Sequence, residues 1–305
     1  MEKKEFNKLV KAAETKKLTA KEKAKAPGEY LDLKCGFTHY EMKDGGDASK
    51  PPVILVHGYS TPYFLYDAVF EGLVAEGYRV IRYDLLGRGL SERVKSKYDA
   101  EAFAVQLKQL ADALIPNEKF IAFGTSMGGS IVAAFAAKYP GRLEKVVLYA
   151  PAGMDNFKPP IYMKLATVPV IGKRIFSAVI IRSSLGRAGE ELLHADEAKK
   201  DDYIRKMAYT MQYKGYINGT YQSLKNTILA TKKDTKFYKK MAKQKIPTLV
   251  IWGTEDRTMP IYQLDRMVKV LKDAEFVIFE GSSHIFLYDE GERTVAHTLP
   301  FLEEE

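Results

Sequence analysis

Cysteine is almost absent: Cys35 is the only one in 305 residues. A lone cysteine excludes an intramolecular disulfide, and the absence of a CxxC pair or a Cys/His cluster removes the basis for a structural zinc site. Long apolar runs are missing too. No stretch reaches about 18 residues without charges, the length a membrane-spanning helix needs. The nearest, Pro159–Ile181, is interrupted by Lys164, Lys173 and Arg174. The N-terminus has none of the roughly 7–15-residue apolar segment of a secretory signal, so the expectation is a soluble, cytoplasmic protein. Glycine (22) and proline (13) are too sparse for a collagen-like or low-complexity chain, and 46% apolar residues with 11% aromatics exclude a disordered one.

Acidic residues are outnumbered more than two to one at the N-terminus. Residues 1–25 hold nine Lys against four Glu, which accounts for five of the eight net positive charges. Phe6, Leu9, Val10 and Ala13 fall at helical spacing there, so residues 1–26 read as a basic amphipathic arm lying on the domain. Contact with an anionic membrane surface through this arm is expected to be weak at most. No arginine-and-aromatic platform accompanies it, so nucleic acid is not an expected partner.

Past Ala26-Pro27-Gly28, two short extended runs, Tyr30–Leu33 and Phe37–Met42, read as an antiparallel pair. Continuous apolar strands then recur at Val53–Val56, Val80–Tyr83, Phe120–Phe123, Val146–Tyr149, Leu249–Trp252 and Phe276–Phe279, the pattern of a parallel sheet buried on both faces. Helical patterns lie between them at Tyr66–Glu76, Ala100–Leu114, Met127–Tyr139 and Ile261–Lys272. This alternation predicts an α/β fold with helices on both faces of the sheet. From about 152 to 245 the strand signal disappears. That segment is expected to form a helical cap over the sheet's C-terminal edge, where ligands of open α/β sheets bind. The core then comprises 27–151 and 246–305.

Gly124-Thr125-Ser126-Met127-Gly128 fits G-x-S-x-G, and it sits between an apolar strand and a helix. That context makes Ser126 a candidate nucleophile on a strained strand–helix turn. A serine hydroxyl needs a base, and the base an orienting acid. Of five histidines, His39, His194 and His297 are not placed at a strand's C-terminal end, and His57 opens a His-Gly loop that it is expected to brace. His284, in Gly281-Ser282-Ser283-His284 after the final strand, is the expected base. Asp256, in Trp252-Gly253-Thr254-Glu255-Asp256, is favoured over its neighbour Glu255 as the acid, because a short side chain at the loop tip suits a fixed bond to imidazole. Asp289 is too close in sequence to His284. Acyl transfer also needs two N–H donors for the oxyanion, worth about 3–4 kcal/mol each. Met127, after the nucleophile, is one candidate. Tyr59, in His57-Gly58-Tyr59 after the Val53–Val56 strand, is the other, with Gly58 permitting the bend.

These motifs, together with Asp84-Leu85-Leu86-Gly87-Arg88-Gly89-Leu90-Ser91, resemble in order and spacing the α/β-hydrolase superfamily from about Tyr30 onward. The narrower likeness is to its cap-bearing branch of carboxylesterases, monoacylglycerol lipases and carbon–carbon bond (meta-cleavage) hydrolases. The resemblance implies a mostly parallel sheet flanked by helices, a helical cap after the sixth strand, no cofactor or metal, and hydrolysis through an acyl-enzyme. It also implies that Asp84–Ser91 is chiefly a structural turn. Haloalkane dehalogenases and epoxide hydrolases share the scaffold but carry Asp as nucleophile, against which Ser126 speaks.

The leading expectation is therefore a serine carboxylic-ester hydrolase for short to medium acyl chains, its partner a small-molecule ester. A carbon–carbon bond hydrolase and a ligand receptor on the same fold are the alternatives. Ile161, Tyr162, Met163, Leu165, Val168, Ile171 and Phe176 either line an acyl pocket or form the cap's own core.

Overall fold

In the computed structural model, which describes residues 1–168 and 171–304, the chain enters through two short helices, α1 (Lys3–Ala12) and α2 (Ala20–Lys23). Strands follow as β1 (Glu29–Leu33), β2 (Gly36–Lys43), β3 (Val53–Val56), β4 (Val80–Tyr83), β5 (Phe120–Thr125), β6 (Leu143–Tyr149), β7 (Thr248–Gly253) and β8 (Glu275–Phe279). They form one sheet in the order β1-β2-β4-β3-β5-β6-β7-β8. The β1–β2 and β2–β4 pairs are antiparallel and the others parallel. β3, β4, β5 and β7 are buried along their whole length, as strands covered on both faces must be; Arg82 in β4 pairs with Glu41 and Asp67.

Helices α3 (Asp67–Ala75), α4 (Ala100–Leu114) and α5 (Met127–Lys138) alternate with these strands. Asp99 starts α4 by accepting the Ala102 amide on its carboxylate at 2.9 Å, which satisfies one of the unpaired first-turn donors. Phe103, Leu107 and Leu110 then place the apolar stripe of α4 on the core, each contributing roughly 1.5–3 kcal/mol by burial.

Between β6 and β7 lie α6 (Ile161–Leu165), α7 (Ile171–Glu190), α8 (Glu197–Met211), α9 (Tyr216–Ser223) and α10 (Thr231–Ala242). The expectation of a single cap over 152–245 needs correcting at its end. α10 packs against α5, and its Tyr238 hydroxyl donates to the Ala152 carbonyl at 2.8 Å. It therefore belongs to the helical layer of the sheet, because a parallel β6–β7 pair needs a crossover helix lying on the face. The chain closes with α11 (Leu264–Val270), α12 (Phe286–Asp289) and α13 (Gly291–Glu303).

The basic arm is docked onto this insertion. α1 packs on α7 and α8, with Phe6, Leu9, Val10 and Ala13 turned against the core. The N-terminal amine pairs with Asp201 at 2.9 Å, and Glu5 with Arg205 at 2.9 Å. Glu14 accepts the Gly215 and Ile217 amides at 3.0 and 2.6 Å, capping α9. The arm's apolar side is thus used within the molecule. Among the described residues, no helix is long and apolar enough to cross a membrane.

Candidate active site

Four loops leave the C-terminal ends of β3, β5, β7 and β8 and converge. At the end of β5 the chain reverses at Ser126, whose φ of 53° and ψ of −120° lie where a residue with a Cβ is disfavoured. Backbone bonds hold it there. The Ser126 amide donates to Tyr149 O at 3.0 Å, and its carbonyl accepts from the Gly129 and Ala152 amides at 3.0 and 2.8 Å. The motif's glycines answer to close approach: a Cβ on Gly128 would stand 2.1 Å from Val56 O, and one on Gly124 would stand 2.8 Å from Gly128 O.

α5 begins at once with Met127, so its N–H is among the donors that a helix N-terminus leaves free. From β3, the Leu85 amide donates to His57 Nε2 at 2.9 Å, which leaves the proton on Nδ1, 2.9 Å from Gly58 O. Burial pushes the His57 pKa down to about 4. The ring is therefore neutral and commits one nitrogen to the backbone of its own loop and the other to that of the Asp84–Ser91 segment. A Cβ on Gly58 would lie 3.2 Å from Ser126 Cβ. Tyr59 is anchored at both ends: its carbonyl accepts from Arg88 Nε at 2.8 Å, and its hydroxyl donates to Thr220 O, on α9, at 2.8 Å. The Asp84–Ser91 segment accordingly supports the loop. Asp84 itself accepts from His39 Nδ1 at 2.8 Å and from the Tyr63 and Leu90 amides at 3.0 and 2.9 Å.

On the β7 loop Asp256 is buried while Glu255 is exposed. Asp256 Oδ1 accepts the Thr258 and Met259 amides at 2.9 and 2.6 Å, and Oδ2 accepts from His284 Nδ1 at 2.7 Å. Burial opposes an imidazolium at His284, but the charge and hydrogen bond of Asp256 outweigh it and hold its pKa above the ordinary imidazole value. Asp289 lies on α12 and instead accepts the His194 amide at 2.8 Å.

Ser126 and His284 both line a cavity of about 230 Å³ roofed by α6 and α7, along with Gly58, Tyr59 and Thr61. Of the apolar residues singled out in the insertion, Tyr162, Met163 and Phe176 line this cavity. Ile161, Leu165, Val168 and Ile171 neither line it nor enter a core; they are exposed to solvent. Helical spacing reports one face of a helix without saying what covers it.

One residue of the site escapes sequence reasoning. Glu191, just after α7, reaches the loops below: Thr258 Oγ1 donates to its Oε1 at 2.6 Å, the His284 amide to its Oε2 at 3.4 Å, and the Ser283 hydroxyl to its carbonyl. Its charge also raises the His284 pKa. In the sequence it is one half of a Glu190-Glu191 pair at the end of a helix, with no motif around it.

Residues 47–291 match the family described as serine aminopeptidase, S33. The chain belongs to this family of α/β-hydrolases. Among relatives of this hydrolase, a 2-hydroxy-6-oxononadienedioate/2-hydroxy-6-oxononatrienedioate hydrolase of Paraburkholderia xenovorans is 28% identical over 281 residues, spanning 88% of this chain and 91% of that protein. The human monoacylglycerol lipase ABHD6 is 22% identical, with 89% and 83% covered. An esterase from Exiguobacterium antarcticum superposes with a TM-score of 0.74 at 18% identity, over 91% of this hydrolase and 100% of the esterase; that likeness is one of fold.

Proposed function

We propose that the chain is a serine hydrolase of carboxylic esters with short to medium acyl chains. The observation that carries this reading is Ser126, held in a left-handed conformation on the wall of a cavity that is shared with a histidine bonded to a buried carboxylate. Ser126 Oγ attacks the acyl carbon while His284 Nε2 takes its proton. The Tyr59 and Met127 amides, which bond to no other group among the described residues, hold the oxyanion. His284 then protonates the departing alkoxide, and water, activated by the same ring, releases the acid from Ser126. Asp256 holds the tautomer and stabilises the imidazolium. His57 and Gly58 support the oxyanion loop, and the helices above act as the cap. No cofactor enters this scheme.

Acyl length tests the pocket. The small apolar cavity favours chains that fill it, and each buried CH₂ is worth about 0.8 kcal/mol, nearly a factor of four. With nitrophenyl esters, kcat/KM is expected to climb from acetate to about four to eight carbons and then fall. The loop carries one glycine before the bulky Tyr59, so esters of tertiary alcohols are expected to be refused. A flat length profile, or efficient hydrolysis of tert-butyl acetate, would contradict this pocket.

A pH profile tests the base. An imidazole acts as base only when neutral, so kcat/KM rises with pH through the His284 pKa. Because that pKa is raised, the acid limb is expected above about pH 6.5, the ordinary imidazole value. Glu191→Gln removes a charge that favours the imidazolium, and the limb is expected to move to lower pH. An unmoved limb would show that Glu191 acts only as a tether.

The Paraburkholderia relative favours carbon–carbon bond hydrolysis as a second reading. Its substrate is a dianion, whereas the lining of this cavity holds one arginine, Arg187, and one carboxylate, Glu191. Bleaching of a meta-cleavage dienone faster than any ester is hydrolysed would reverse the preference. Repeated turnover of a short ester separates both enzyme readings from a receptor.

A further inference from the structure

Exposed apolar side chains are concentrated on one part of the surface. Among the described residues, twelve large hydrophobics are exposed, and seven of them lie between Ile161 and Val179. Ile161, Leu165 and Ile171 are 69, 52 and 60% exposed, and on α7 the residues Ile171, Ile175 and Val179 recur every four positions as one stripe. Scattered single hydrophobics need no explanation, but a contiguous ridge marks a surface that something covers.

The charge carried by the ridge's own segment is of one sign. Residues 156–189 contain Lys158, Lys164, Lys173, Arg174, Arg182 and Arg187 and no Asp or Glu. Among the described residues, none of these cations forms an ion pair with a carboxylate. Lys173 and Arg182 donate to the side chains of Asn218 and Asn7, and Arg187 to the Tyr162 hydroxyl. A second copy of the chain is a poor occupant, because a two-fold interface would set this basic surface against itself. An anionic bilayer complements both properties at once: apolar side chains enter the acyl boundary while Lys and Arg meet the headgroups.

We propose that α6 and the first half of α7 dock this protein onto the surface of an anionic lipid bilayer, with the mouth of the cavity facing the lipid. Ile175 and Val179 belong to the exposed stripe and also line the cavity that holds Ser126. The ridge therefore runs into the cavity mouth, and an apolar substrate dissolved in the bilayer reaches Ser126 along a continuous apolar surface. Membrane contact thus falls to the insertion, since the apolar side of the N-terminal arm is spent on packing.

Sedimentation of the full chain with vesicles tests this without any turnover, so its outcome does not depend on the ester-hydrolase reading. The chain is expected to co-sediment with vesicles of phosphatidylcholine containing phosphatidylglycerol, to be released by salt, and to bind pure phosphatidylcholine far more weakly. Leu165→Ser with Ile171→Ser, and separately Lys164→Glu with Arg174→Glu, are each expected to lower partitioning about tenfold. Neither pair is expected to alter hydrolysis of a water-soluble short ester or the elution volume, which confirms that the variants fold. Absence of binding, equal binding to neutral vesicles, or undiminished binding of both variants would overturn the proposal. So would a dimer of the unmodified chain that the variants dissociate, which would make the ridge a self-interface.

Discussion

Ser126→Ala is expected to lower turnover of a short ester by about a millionfold, leaving only the residual rate that oxyanion donors and binding supply. The effect should fall on kcat with little change in KM, because the hydroxyl's decisive contact is the covalent one made during reaction. Ser126 also sits at a φ of 53°, which alanine tolerates no better than serine. The backbone bonds to Tyr149, Gly129 and Ala152 that enforce this conformation do not involve the side chain, so the variant should fold with unchanged stability. Single-turnover kinetics and a thermal melt together check the prediction. A variant of normal stability that still turns over many times would remove Ser126 as nucleophile.

Asp256→Asn should preserve the fold yet reduce turnover about ten-thousandfold. Asp256 Oδ1 takes two loop amides and Oδ2 takes His284 Nδ1. An asparagine can keep the first role through its carbonyl oxygen, but then its NH₂ faces the imidazole. The ring must turn an unprotonated Nδ1 toward it, which places the proton on Nε2, where the base has to be free. Glu255→Gln is the control. Glu255 is exposed and should be nearly silent. Comparable losses in the two variants, or the reverse order, would show that the wrong carboxylate has been assigned.

Both acids stand side by side in the sequence, and only their environments separate them. At this loop the residue types were legible, but the burial of Asp256 and its three hydrogen bonds come from the arrival of the Ser282–His284 loop and the Thr258–Met259 turn. Glu191 marks the limit more sharply. Its neighbours at the site, Thr258 and His284, are distant in sequence, so no local pattern encodes their meeting. The apolar positions between Ile161 and Phe176 divide for a related reason: Tyr162, Met163 and Phe176 line the cavity, while Ile161, Leu165, Val168 and Ile171 face solvent. Their helical spacing is genuine, but periodicity cannot distinguish a cavity, a core and an open surface.

Local features could be read from the chain directly: which segments become strands, from short, mostly apolar runs, and which turn carries the strained serine, from glycines that leave space where a Cβ would meet a carbonyl. Those requirements act over a few residues, so they are written where they operate. The tertiary structure alone decided which chain segments meet. It set α10 against the sheet, bound the basic arm to the insertion, brought Glu191 down onto the histidine loop and left a basic apolar ridge uncovered at the cavity mouth. Such outcomes follow from how whole helices share buried area and charge, and no short stretch of the chain contains that information.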